Sequence, residues 1–419
     1  MRNSIGCIII FLVLAAQAKA QTNNLTGSPY SFFGLGLASN SNIGITNAMG
    51  NGGYALSGDG FINNNNPASY GSLGERNFLF DFGFLAEISD ISTNSTSENR
   101  IAGSFSNVAF AASMTPNSAF GISLNPFSDV GYAVIGVESN IEGSFDTFSS
   151  NVFGSGGLND LRLSLGSEWF GKLRTGAYLS YLFGVIEERE IIDASQDLPN
   201  ESTLIVQERN FYNGLRVGFG LQYDLLPKLT LAAGAELNTS LSGTQDRTVE
   251  KTLDFTPSVV ENTADVTLED FELPAQLNAG LYFRPNNGLG LTLDFSKRFW
   301  DITEQEDNIG DFVDEESYSI GLHYAADPSS YQYRKRIQYR LGWNYRSGNL
   351  EVNANRIDQY GFSFGIGLPM GLRSASTLNI TYRYGQRGAA EGVLVEERLH
   401  TLTVNFSLRD LWFGKRKIN

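Results

Sequence analysis

Two histidines, His323 and His400, carry all the imidazole chemistry of the 419-residue chain, and Cys7 is its one thiol. Hydrolytic acid–base or nucleophilic catalysis sets a histidine beside a nucleophile or a carboxylate. Strand parity, developed below, puts His323 on an inward face and His400 on an outward one, so the two cannot cooperate and no enzymatic activity is expected. A metal centre has no better footing: there are no paired histidines or cysteines. The acidic run "DITEQEDNIGDFVDEES" from Asp301 lacks the regular spacing of a calcium loop. Its carboxylates suit solvated surface charge, or a loose bridging of divalent ions and lipopolysaccharide. No cofactor is expected. The chemically notable residues are instead charges spaced among apolar ones: Arg162, Arg216, Arg298, Arg340, Arg383, Asp224 and Asp294, together with His323.

The elements that must position these groups have period two. In "FYNGLRVGFGLQYDL", Phe211, Leu215, Val217, Phe219, Leu221, Tyr223 and Leu225 share one face, while Arg216, Gln222, Asp224 and three glycines share the other. "GLGLTLDFSKRFW", "IQYRLGWNY" and "HTLTVNFSL" split the same way. Fourteen such runs can be read, at about 78–90, 101–115, 119–140, 158–170, 173–188, 204–226, 228–248, 272–284, 288–301, 316–325, 335–347, 359–368, 375–386 and 397–408. A soluble sandwich alternates too, with its oily face inward. The connections decide between them: short turns such as "TPNS", "FGK", "LPK" and "RPNNG" alternate with mostly longer, often acidic loops near 91–100, 141–157, 189–203, 249–271, 302–315, 348–358 and 387–396. An even strand number with short turns on one rim and long loops on the other predicts an all-β, 14-stranded antiparallel transmembrane barrel. Its charged residues then form a polar network in the lumen, and outer-membrane lipid surrounds it.

The first twenty residues, with Arg2, the run "IGCIIIFLVLAA" and Ala18-Lys19-Ala20, read as a secretory signal peptide. The formal charge is −15, which excludes nucleic acid as an expected partner. Nothing after residue 20 is long and apolar enough for a spanning helix. The expected organisation is a signal peptide at 1–20, an N-terminal segment at 21–74, a barrel at 75–408 and a short basic periplasmic extension at 409–419.

The segment 21–74 is rich in glycine and asparagine and cannot form a core of its own. A 14-stranded barrel has a lumen wide enough to hold it, so it is expected to fold inside as a hatch, or plug, that pairs its backbone with lumen side chains. "NAMGNGGYALSGDGFINNNNPAS", with "ALSGD" at Ala55–Asp59 and Asn66-Pro67-Ala68, resembles the hatch of the long-chain fatty acid transporter (FadL) family of outer-membrane barrels. Pro126, in mid-run within "NPFSD", cannot donate to a ladder and marks a bulge or a break in the third strand. That family's third strand is kinked. The resemblance implies uptake of hydrophobic small molecules across a Gram-negative outer membrane, with Asn66, Pro67 and Ala68 at the gate and Asn125, Pro126 and Phe127 at a lateral opening. The polar lumen face departs from it, since an oily ligand prefers apolar walls. An alternative is a non-transporting subunit of a protein secretion or barrel-assembly complex, with other outer-membrane or periplasmic proteins as partners. "SPYSFFGLGL" at Ser28–Leu37 could then serve in plugging or in docking a periplasmic partner.

Overall fold

The computed structural model describes residues 26–40, 42–58, 60–140, 147–193, 202–253, 256–285, 287–303, 305, 310–371, 376–390 and 394–411. The signal peptide and the end of the basic tail lie outside them. Fourteen strands form a closed antiparallel barrel. Their order follows the chain: Asn77–Ser92, Ser97–Thr115, the third strand in two pieces (Ser118–Pro126 and Ser128–Asn140), Thr147–Trp169, Leu173–Asp193 and Ser202–Leu226. The seventh is Leu229–Glu236 with Thr239–Leu253, and the eighth is Thr256–Thr267, Phe271–Leu273 and Gln276–Phe283. Leu289–Arg298, Glu315–Ala325, Gln338–Arg346, Gln359–Pro369, Thr377–Arg387 and Glu396–Leu411 complete the wall. Closure comes from pairing of the first strand with the last, from Asn77↔Leu411 to Ser92↔Glu396.

The alternation places side chains as expected. Leu215, Phe219, Leu221, Leu293, Leu341, Phe362 and Leu402 stand on the outside and are exposed, while Arg216, Gln222, Thr292, Arg340, Ser363 and Thr401 are buried inside. So much exposed apolar surface would aggregate in water and is what a hydrocarbon surround requires. Aromatic rings mark both ends of the band, with Trp169, Tyr223, Phe283, Tyr324 and Tyr339 towards the short-turn rim and Tyr318, Tyr345 and Tyr360 towards the other.

Two expected loops are strand instead. The stretch 141–157 was expected to be irregular, but the fourth strand already starts at Thr147. Residues 249–271 are mostly an extended hairpin, Thr239–Leu253 against Thr256–Thr267. The seventh and eighth strands bend where they leave the band, around 237–238 and at Pro274-Ala275. The fourth to eighth strands therefore rise well past the others on the long-loop side, making the wall taller on one flank.

Candidate functional site: the hatch, its latches and the broken third strand

The N-terminal segment lies inside the barrel in two stretches. Residues 42–73 fill the half nearer the short turns. Three 3₁₀ turns organise the segment, Pro29–Phe32, Gly44–Ala48 and Pro67–Ser72. Asn66 caps the last, its Oδ1 accepting from the Ala68 N–H at 3.0 Å, and its amide donates to the Tyr54 carbonyl at 3.0 Å. Pro67 sits at the first helical position, where a missing N–H costs no bond. Hatch backbone and wall backbone come into direct contact: a Cβ on Gly176 would strike Pro67 and Ala68, and one on Gly342 would strike Met49 and Gly50. Those lumen glycines are the hollows into which the hatch fits.

Lumen side chains bind the hatch by its backbone. Asp294 accepts from the N–H groups of Gly53 and Tyr54 at 2.7 and 2.8 Å. Arg162 donates to the Asn64 carbonyl at 3.1 Å while paired with Asp160 at 2.8 Å. Gln222 donates to the carbonyls of Tyr54 and Leu56 at 3.0 and 3.2 Å, and Arg383 to Asn51 Oδ1 at 3.1 Å. Asp81, Asn107, Asn405 and Ser407 form one buried network, which Asn47 joins by donating to Asn405 at 3.1 Å. Burial raises the Tyr70 phenol to about 12 and pushes Tyr54 higher still, so both remain neutral.

The other expected lumen residues are dispersed. Arg216 pairs with Glu236 at 3.1 Å, Arg298 with Glu315 at 3.2 Å, and Arg340 donates to Asn379 at 2.8 Å. His323 faces Tyr282 OH at 2.7 Å, and Asp224 holds Arg174 on the short-turn side. His400 is on the outer face against Tyr382. Arg174, Glu236, Glu315, Arg346 and Arg387 were not singled out from the sequence, although strand parity, read strand by strand, offered a signal for them.

The third strand breaks at Phe127. Below the break it pairs with the second strand as far as Val108↔Leu124. Above it, Ser128–Asn140 pairs with the fourth strand and with residues 37–38, while residues 97–107 of the second strand pair with the first. Second and third strands thus part company in that half of the wall. The strap formed by residues 26–39 lies along the parted third strand. Ser39 N–H donates to the Phe127 carbonyl at 2.9 Å, Thr26 N–H to Asp129 at 2.8 Å, and Gly131 N–H to Ser31 Oγ at 3.0 Å. Its other edge meets the last strand, where Ser28 bonds Glu397 and Tyr30 OH both donates to the Val395 carbonyl at 2.7 Å and accepts from its N–H at 2.8 Å. "SPYSFFGLGL" therefore lies along the parted third strand and beside the last strand, in the half of the barrel away from the short turns.

Between strap and hatch lies a cavity of about 270 Å³. Phe33, Phe127, Phe271, Trp300 and Phe312 give it an aromatic roof, with Trp300 stacked on Phe312 at 4.8 Å. The walls are charged: Asp160, Arg162, Arg216, Glu236, Asp294, Arg298, Glu315 and Arg346. Asn66, Pro67 and Ala68 do not line it. Of the lateral set, Pro126 and Phe127 do, and fully buried Asn125 instead donates to Ser123.

Matched over residues 1–419, the family model described as BamG takes in the whole chain. The chain belongs to the BamG family. Solved structures supply the fold's relatives. The P. putida toluene transporter TodX superposes with a TM-score of 0.62 at 15% identity, covering 90% of this chain and 100% of that one. The CymD monoaromatic hydrocarbon channel gives 0.59 at 15%, covering 90% and 99%. A Pseudomonas aeruginosa FadL homologue gives 0.51 at 13%, covering 89% and 97%. At such identities these relatives establish the barrel fold, and that alone. No curated protein matches the sequence. No helix among the described residues is long and apolar enough to cross a membrane, which says nothing of a barrel.

Proposed function

We propose that this BamG-family chain is a closed, non-transporting barrel of a Gram-negative outer membrane, serving as a subunit of a protein secretion or barrel-assembly complex. The observation that carries the reading is the composition of the lumen. A path for an oily molecule needs apolar walls, whereas here the central cavity is walled by ion pairs and the hatch is held to the barrel at many separate points. The strap lies along the parting of the second and third strands. The hydrocarbon channels share the fold, while the family that spans the whole chain carries a different name.

A second reading, uptake of hydrophobic small molecules by hatch opening and lateral release at the third strand, draws support from the break at Phe127 and the aromatic roof beside it. Gentle extraction from membranes followed by intact-mass analysis separates the two. Stoichiometric protein partners are the expected result. A solitary barrel carrying extractable hydrophobic molecules would reverse the ranking.

A further inference from the structure

The short-turn mouth of the barrel holds a second cavity, of about 340 Å³, that the latches and the central cavity do not use. Turns of the wall and two edges of the hatch, Ser57-Gly58 and Ser72, enclose it. Lys172, Lys228 and Arg284 stand on its successive turns, and Arg174 forms its back wall. The turns are tied together through their backbones: Asp224 N–H donates to the Lys172 carbonyl at 2.9 Å and Arg284 N–H to the Lys228 carbonyl at 2.8 Å. The stretches of backbone that carry the cations are thus fixed in relation to one another before anything binds, which reduces part of the ordering cost of recognition.

The charge around this cavity is lopsided. Its lining has one carboxylate, Asp224. That group is committed, accepting from both terminal nitrogens of Arg174 at 2.9 and 2.7 Å and from Thr230 at 2.6 Å. Among the described residues Lys172, Lys228 and Arg284 form no ion pair. A locally cationic concavity in a chain of formal charge −15 is where an anionic group is drawn by Coulomb attraction and is repelled least by the rest of the surface. Beside Lys172, Phe170 has φ 54° and is 96% exposed. A bulky residue rarely adopts that left-handed conformation.

The lining also points to the source of the anion. Arg174, Thr230 and Tyr282 are buried lumen-face residues and the hatch supplies another edge, so the back of the cavity belongs to the barrel mouth, while exposed Leu225 and Leu226 bring apolar surface to its rim. Its volume suits about one or two acidic side chains and falls at the small end of ligand pockets. We propose that Lys172, Lys228 and Arg284 form a docking site for an acidic segment of a periplasmic partner polypeptide. This rests on the subunit reading and names the side from which a partner engages.

Labelled hexaglutamate, titrated against the full-length protein in detergent, reads the site directly, and the same preparation extracted with its native partners reads the complex. Binding that weakens with salt is expected, roughly tenfold or more weaker for the triple variant K172E/K228E/R284E and intermediate for K172Q/K228Q/R284Q. All three residues sit on exposed turns, and heat-modifiable gel mobility verifies that the variants remain folded. Hexaglutamate binding that is absent, or equal in wild type and triple variant, overturns the proposal. So does displacement of bound peptide by phosphatidylglycerol micelles but not phosphatidylcholine micelles, which would make the cavity a lipid-headgroup site. The peptide titration tests the docking site and co-extraction tests the subunit reading, so either can fail with the other intact.

Discussion

Residues 42–73 and residues 26–39 belong to one continuous segment inside one barrel, yet they are held by different means. The first stretch is fixed by lumen side chains that bond its backbone, with glycines of the wall shaped to receive it. The second is fixed largely by its own backbone and small hydroxyls along strand edges, with aromatic rings packed against it. Backbone-to-wall contact without intervening side chains tolerates no displacement, because any shift collides or leaves buried N–H groups without acceptors. Edge pairing of two residues and a few side-chain bonds can be undone in steps. The comparison separates a stretch seated against the wall by its backbone from one held by fewer, separable bonds.

The most damaging change should be Gly176→Val, which sets a branched side chain into the backbone of Pro67 and Ala68. A loss of roughly 3 kcal/mol or more is expected, either expelling the hatch or failing to close. Limited proteolysis of the folded barrel would show the hatch cut where wild type resists. Resistance equal to wild type would mean the hatch is not seated by the glycine hollows. Asp294→Ala should follow, stranding the N–H groups of Gly53 and Tyr54 at a cost of about 2 to 3 kcal/mol. Urea unfolding in detergent measures it, and Asp294→Asn should recover part of the loss.

The cover should respond more mildly. Tyr30→Phe removes both bonds to Val395 and is expected to cost about 1 kcal/mol, with no change in hatch proteolysis. Its distinguishing effect is access: a cysteine placed at Phe127 should react faster with a water-soluble maleimide once Tyr30 is changed. Equal rates would show that the strap does not shield the break. The smallest effect is expected at Phe170, where Phe170→Asn suits the left-handed backbone better and should be neutral or stabilising by up to about 1 kcal/mol.

Much of the barrel could be read from alternation because hydrocarbon outside and polar groups inside impose opposite demands on successive residues. Where both faces meet water the signal vanishes. Val259, Val260 and Val266 are exposed in the returning arm of the extended hairpin, Thr256–Thr267, and with no buried face to repeat, that arm is indistinguishable from loop. The lumen arginines were legible by parity, but their partners were often backbone atoms, such as the Asn64 carbonyl for Arg162, which carry no residue-type signature. Pro126 announced the break in the third strand, since proline cannot sustain a ladder. The strap's place along that break depends on chain reversal through the whole lumen and left no local trace.

The seam between Asn77–Ser92 and Glu396–Leu411 also orders the birth of the molecule. The segment to be enclosed is made first, and the strand that shuts the cylinder around it is made last. Asn47 and Ser28 have their partners Asn405 and Glu397 on that final strand, so these contacts between the enclosed piece and the wall are complete only once the last strand is in place.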